Sequence, residues 1–268
     1  MSELNTVVIV GSSLAGLRAA ETLRLEKYEG RIVIVGAEDR QPYDRPPLSK
    51  KVLSGEWEAD RISLRKPEDL AKLNIDWKLG SAATSLNTIT RTITLASGET
   101  IAFDGLIIAT GSGVRKLPNQ PDWKGVHVVR TLDDSLALRA NLNPGVRVVV
   151  IGAGFIGLEV AATAKNRGCE VTVLEGAPAP MMRGLGAEMG HAAALVHTDN
   201  GVSMRFNVKV AGLVEGSKGS VGGVALDDGE VVPADVVVVG IGVVPATQWL
   251  ENTALELRDG VVCDTTLN

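Results

Sequence analysis

The feature that most constrains this chain is a pattern written into it twice. Val7-Val8-Ile9-Val10-Gly11 and Val148-Val149-Val150-Ile151-Gly152 are short β-branched runs that stop at a glycine. Runs so short and so apolar fit strands buried on both faces of a parallel sheet. Each leads through a turn into a helical stretch, expected over residues 15–26 and 156–166. Ala19, Ala20 and Leu23 in the first, and Ala161, Ala162 and Ala164 in the second, let a helix lie close against the sheet. A second apolar run follows each helix, at residues 31–35 and 170–174, so the βαβ unit is repeated.

Both blocks also close alike. Gly105 to Gly111 and Asp235 to Gly242 are apolar runs ending in glycine. A shorter run precedes each, residues 88–95 and 208–214, followed by the polar turns Ser97-Gly98 and Asp227-Asp228-Gly229. These predict an antiparallel meander inserted before the last strand of each block. The Pro-, Gly- and Asn-rich stretch 113–123 is the expected crossing between domains, and the chain is expected to return after Gly242. The expected division is 1–113 with 243–268 as one domain and 114–242 as the other. A length of 268 residues suits it, since an average domain takes roughly 100–200.

Composition excludes several classes. The apolar share of 45% is enough for a core, and 30 glycines with only 3% aromatics suit backbone that approaches cofactors closely. A net charge of −5 leaves no footprint for nucleic acid, and no basic run suits a membrane surface. No uncharged apolar run reaches the roughly 18 residues of a membrane span, and the N-terminus lacks the pattern of a signal peptide. Cys169 and Cys263 are far apart and form no redox or zinc pair with each other or with His127, His191 and His197. A cytoplasmic protein without a metal site is therefore expected.

The second repeat carries the fuller fingerprint. Gly152-Ala153-Gly154-Phe155-Ile156-Gly157 is G-x-G-x-x-G between a strand and a helix. The first glycine makes the tight turn, the second lets a pyrophosphate approach, and the third lets helix and strand pack closely. The helix N-terminus offers N–H groups and partial positive charge to phosphates. Glu175, at the end of the next strand about 20 residues on, stands where an acid accepts from a ribose 2′-hydroxyl. That carboxylate repels a 2′-phosphate, and Gly176-Ala177-Pro178 supplies no arginine, which favours NADH over NADPH; Arg183 is the nearest cation. A glycine-rich turn without a ligand is the alternative, and the placed strand, helix and acid argue against it.

The first repeat reads Gly11-Ser12-Ser13-Leu14-Ala15-Gly16, followed by Glu38. Ser13 replaces the middle glycine, and its hydroxymethyl group is small enough to leave room for a phosphate. Next comes a loop stiffened by two prolines, Arg45-Pro46-Pro47-Leu48-Ser49-Lys50, with a helix expected to start near Leu48. It presents Arg45 and Lys50 either to a flavin or to solvent, and spacing leaves these readings even. Glu159, in the first turn of the second helix, either complements the helix dipole or faces a nicotinamide; spacing does not choose.

Together these segments resemble the FAD-dependent ferredoxin and rubredoxin reductases that feed bacterial oxygenases, a family related to apoptosis-inducing factor. Pro42-Tyr43-Asp44-Arg45-Pro46-Pro47-Leu48-Ser49-Lys50 is the most specific segment. Ile107-Ile108-Ala109-Thr110-Gly111-Ser112, Arg130-Thr131-Leu132-Asp133-Asp134, Val150 through Glu159, and Val239 through Pro245 match in order. The resemblance implies a glutathione-reductase-like α/β fold of two Rossmann-like, doubly wound parallel-sheet domains, with FAD in the first and NADH in the second. It implies flavin contacts from Gly11, Ser13, Leu14, Ala15, Gly16, Glu38, Arg45, Lys50, Ala83, Ala109, Thr110, Gly111, Arg115 and Arg130. NADH contacts would come from Gly152, Gly154, Phe155, Ile156, Gly157, Glu159, Glu175, Arg183 and Gly242, with Lys50 and Glu159 at the chemistry. The implied reaction is hydride transfer from NADH to FAD, then single-electron steps to a ferredoxin or rubredoxin. Oligomeric state is left open.

Three departures stand out. Ser13 replaces the usual glycine, Ala179 stands where many members have arginine, and the sequence stops before the family's late Gly-Asp motif and C-terminal domain. A chain of this length is therefore expected to bind FAD poorly and to turn over weakly or not at all. A flavin disulfide or peroxide reductase is one alternative, but it needs a thiol at the flavin, and no cysteine precedes Cys169. A module that binds nucleotide without turnover is the other.

Overall fold

The computed structural model describes residues 4–268. Two compact units share the chain. The first takes the chain up to Asp44, Ile62–Gly113 and Val244–Asn268; the second takes Arg45–Arg61 and Val114–Val243.

The first unit is built on a parallel sheet in the order Ile75–Lys78, Arg31–Val35, Thr6–Val10, Gly105–Ile108. Its central strands are buried on both faces, and the two-residue period of a strand sorts their side chains. Val7, Ile9, Ile32 and Ile34 pack with Ala20 of the helix Leu14–Leu25. Val8, Val10, Val33 and Val35 face the opposite way, onto Leu86, Ile93, Leu95 and Ile101 of an antiparallel meander and onto Trp249 and Leu250. The meander's strands are Ala83–Asn87, Thr92–Leu95 and Thr100–Ala102. The strand expected over residues 88–95 is thus shorter. Asn87 Oδ1 accepts the N–H groups of Ile89 and Thr90, and Arg91 has a φ of +49°, which makes its first half a turn.

The second unit repeats the scheme with five parallel strands, in the order Ser203–Arg205, Glu170–Leu174, Arg147–Ile151, Val236–Val239, Val126–His127. The helix Phe155–Asn166 follows the central strand. The meander Val210–Glu215, Val221–Leu226, Val231–Pro233 buries Val221, Val224 and Leu226 against Val149, Ile151, Val237 and Val239. The helix Leu132–Asn141 opens with a capping box. Thr131 Oγ1 accepts from the Asp134 N–H at 3.1 Å, and Asp134 accepts from the Thr131 N–H at 2.8 Å.

The proline-rich loop falls outside the block in which the sequence places it. Arg45–Arg61 groups with the second unit, not with residues 1–113. Pro46–Ser49 forms a 3₁₀ turn and Lys51–Ser54 a short helix; Leu48, Val52 and Leu53 are buried, and the segment packs on the helices Leu132–Asn141 and Phe155–Asn166. Three apolar side chains seated on two helices outweigh nearness in sequence, each contributing roughly 1.5–3 kcal/mol by burial.

Candidate functional site: two glycine loops and a charged pair

In the first unit the loop begins at Gly11, whose φ of +123° excludes most side chains. A Cβ there would lie 2.0 Å from the Ala109 carbonyl oxygen, so Gly11 and the Ala109-Thr110-Gly111 segment meet backbone to backbone. A Cβ on Gly16 would lie 1.9 Å from the Gly11 carbonyl oxygen, which fixes helix against strand. Ser13 is the N-cap in extended conformation, and Leu14 and Ala15 follow it exposed in the first turn. Glu38 accepts a hydrogen bond from the Tyr43 hydroxyl. Thr110 Oγ1 donates to the Ala246 carbonyl at 2.9 Å. Ala83 is half-buried against the meander face of the core.

The second loop repeats the turn. Gly152 has a φ of +99°, and a Cβ on Gly157 would lie 2.1 Å from the Gly152 carbonyl oxygen. Gly154 differs, because nothing lies within 4 Å of a Cβ built there. It is the extended N-cap of Phe155–Asn166, with Phe155 and Ile156 exposed beside it. Glu175 is already aimed at the loop. One carboxylate oxygen accepts the Ala153 N–H at 2.7 Å and the other the Ala177 N–H at 2.8 Å. The Met181 N–H donates to the Ala153 carbonyl at 3.0 Å and ties the start of the helix Met182–Asp199, with exposed Arg183, to the same loop. Arg115 donates its backbone N–H to the Gly242 carbonyl at 2.9 Å.

The second unit also brings together the two residues that spacing left open. Lys50 Nζ lies 2.8 Å from Glu159 Oε2, with the side chains 45% and 33% exposed. Ser49 Oγ donates to the same oxygen at 2.5 Å. Lys50 is therefore no longer a merely solvated cation, and Glu159 has a partner beyond the helix dipole. Arg45 donates to the Arg130 carbonyl at 2.6 Å. Ser135 and Thr163 carry no signal in the sequence, and Tyr43 and Ser49 stand there only as members of the proline-rich segment with no role of their own; single hydroxyls in loops and helices carry no periodic signal.

The cysteines stand apart from this chemistry. Cys169 is buried, its Sγ donating to the Asn143 carbonyl at 3.4 Å, and burial pushes its thiol up despite nearby Arg167. Cys263 is exposed near the chain end, and both are free thiols. Among the described residues no helix is long and apolar enough to cross a membrane.

A family profile described as pyridine nucleotide-disulphide oxidoreductase matches residues 5–268. The chain belongs to that family. Rhodocoxin reductase of Rhodococcus erythropolis is 38% identical over 263 residues, covering 97% of this chain and 61% of the relative. Rubredoxin-NAD(+) reductase of Pseudomonas putida is 36% identical over 259 residues, covering 96% of this chain and 67% of that protein. The crystal structure of a covalent putidaredoxin reductase–putidaredoxin complex superposes with a TM-score of 0.93 at 34% identity, covering 97% of this chain and 63% of the matched one. This family member thus spans 61% of the length of rhodocoxin reductase. It shares the α/β architecture of two Rossmann-like units, each with its antiparallel meander.

Proposed function

We propose that the chain is the nucleotide-binding part of a cytoplasmic flavoenzyme that takes electrons from NADH through FAD to a ferredoxin or rubredoxin serving an oxygenase. The observation that carries this reading is the free space over Gly154 at a helix N-terminus, beside a carboxylate already oriented by the loop. A pyrophosphate fits that cradle, and a Cβ would begin to fill it. The first loop has the same backbone geometry for a second dinucleotide. The acceptor class comes from the relatives, which include ferredoxin and rubredoxin reductases. The two free thiols suit a reducing compartment.

In this reading Gly11, Ser13, Leu14, Ala15 and Gly16 hold the FAD pyrophosphate and Glu38 accepts from its ribose. Ala83, Ala109, Thr110 and Gly111 complete the flavin contacts of the first unit, and the family resemblance is the ground for assigning Arg45, Arg115 and Arg130 to the flavin as well. Gly152, Gly154, Phe155, Ile156 and Gly157 hold NADH, Glu175 accepts from its ribose, and Arg183 and Gly242 flank it. Bound flavin supplies the conversion of a two-electron hydride into single-electron steps. Lys50 and Glu159 would offer a bound flavin or nicotinamide a hydrogen-bonded ion pair, with the lysine's positive charge partly offset by the carboxylate 2.8 Å away.

The test is rapid anaerobic mixing of the FAD-reconstituted chain with NADH. The visible absorbance of whatever FAD the chain retains is expected to bleach, even if slowly. Tight NADH binding with no bleaching would instead make the chain a binding module.

A further inference from the structure

The proline-rich loop is held by side chains that no motif marks. Ser135 is fully buried, and its Oγ donates to the Leu48 carbonyl at 2.6 Å. Thr163, 8% exposed, donates from Oγ1 to the Ser49 carbonyl at 2.9 Å. Arg167 donates to the Ser54 carbonyl at 2.8 Å. Glu159, Thr163 and the C-cap Arg167 are spaced four apart, so they follow one face of the helix Phe155–Asn166 to its end. That face touches the loop at Ser49 and Lys50, then at Ser49 again, then at Ser54.

These bonds answer a mechanical problem. The loop's 3₁₀ turn ends at Lys50, with φ −122° and ψ −101°. Its backbone is tied within the loop, the Lys50 N–H donating to the Pro47 carbonyl at 3.1 Å and the Ser54 N–H to the Lys50 carbonyl at 2.7 Å, and these local bonds do not fix the loop against the helices. The Leu48 and Ser49 carbonyls lie immediately before it, and each is gripped by a buried hydroxyl from a different helix. Buried carbonyls left without a donor cost more than the net value of a bond, so both grips resist loss. The geometry points to Ser135 and Thr163 as positioning residues: by fixing the two carbonyls before Lys50, they set the distance between Lys50 and Glu159. This rests on the reading that the Lys50–Glu159 pair serves the flavin chemistry, and it adds residues that act only through that pair.

The experiment compares Thr163→Val, which keeps the shape and removes the hydroxyl, Ser135→Ala, and Thr163→Ser, which restores a hydroxyl. Hydrogen exchange by mass spectrometry on the chain without cofactor reads the loop directly. In Thr163→Val and Ser135→Ala, amides of residues 48–54 are expected to exchange about tenfold faster, with the strand Arg147–Ile151 unchanged. Thr163→Ser should return to the wild-type rate. In the FAD-reconstituted chain, the limiting rate of flavin reduction should fall about tenfold in Thr163→Val while NADH affinity stays within about twofold, a split that general destabilisation would not give. Unchanged exchange in both hydroxyl-deleted variants would overturn the inference itself. Wild-type flavin reduction in Lys50→Ala, with faster exchange in Thr163→Val, would overturn the reading of the pair and with it the functional half of the inference. Faster exchange across the whole second unit would also overturn it, by reducing the hydroxyls to general fold stability.

Discussion

In the first unit the middle position of the fingerprint is Ser13, in the second it is Gly154, and the two loops make the same turn. Gly11 and Gly152 both take positive φ, and Gly16 and Gly157 both approach the preceding carbonyl to within about 2 Å of where a Cβ would stand. The middle residues have ordinary backbone, φ −102° at Ser13 and φ −74° at Gly154. The outer glycines are thus demanded by the fold, whereas nothing in the fold demands the middle one. The acids differ too. Glu175 is held by two backbone N–H groups, whereas Glu38 accepts from a tyrosine hydroxyl supplied by the neighbouring loop. The second acid is thus anchored by backbone N–H groups, and the first takes a bond from a side chain.

The largest effect is expected from a methyl group added at each fold-demanded glycine. Gly157→Ala and Gly16→Ala should each destabilise their own unit by about 3 kcal/mol or more, because a backbone carbonyl must move. Urea denaturation followed by unit-resolved hydrogen exchange would show it, and a neutral result at Gly157 would refute the claim of contact-driven necessity.

Gly154→Ala should behave in the opposite way. Stability should change by no more than about 0.5 kcal/mol, since the added carbon meets nothing, while NADH affinity falls about tenfold. Fluorescence titration with NADH measures the second quantity; retained affinity would mean that the open space is not where the pyrophosphate sits.

A smaller effect is expected at Glu175. Glu175→Gln keeps an acceptor for one N–H and removes the charge, so NADH affinity should drop several-fold and the preference over NADPH should narrow. Paired titrations with both nucleotides test this, and an unchanged ratio would remove Glu175 from the ribose site.

The mildest contrast is with pH. All three histidines, His127, His191 and His197, belong to the second unit. Burial holds His127 and His197 below the ordinary 6.5, although Asp134 pulls His127 back upward. Because the folded values lie lower, the unfolded chain takes up protons first as pH falls. The contribution is complete above about 6.5 and is lost as pH drops through the folded values. The second unit should therefore lose under about 1 kcal/mol between pH 7.5 and 5.5 from this source, with no counterpart in the first. Denaturation at the two pH values, repeated in His127→Phe, checks it; equal slopes with and without His127 would remove that residue from the effect.

Much of the fold was legible because burial on both faces of a parallel strand writes itself as an unbroken β-branched run. The turns after Val10 and Ile151 were legible for a related reason, since positive φ and close carbonyls admit little but glycine. The proline-rich loop was not legible in its place. Its buried aliphatic residues, Leu48, Val52 and Leu53, show no period that names the surface they will cover. Neither were Ser135 and Thr163, since a hydroxyl in a helix looks the same whether it meets a carbonyl or solvent.

Two βαβ units, their glycine turns and the acid that follows each are written in the residues themselves, because these depend on neighbours within one local motif and on backbone sterics. The packed chain alone reveals that Arg45–Arg61 groups with the second unit, that Lys50 meets Glu159, and that two helix hydroxyls grip the carbonyls before it. Those outcomes join residues about 90–110 positions apart, where the deciding quantity is which buried polar atoms can satisfy one another in three dimensions.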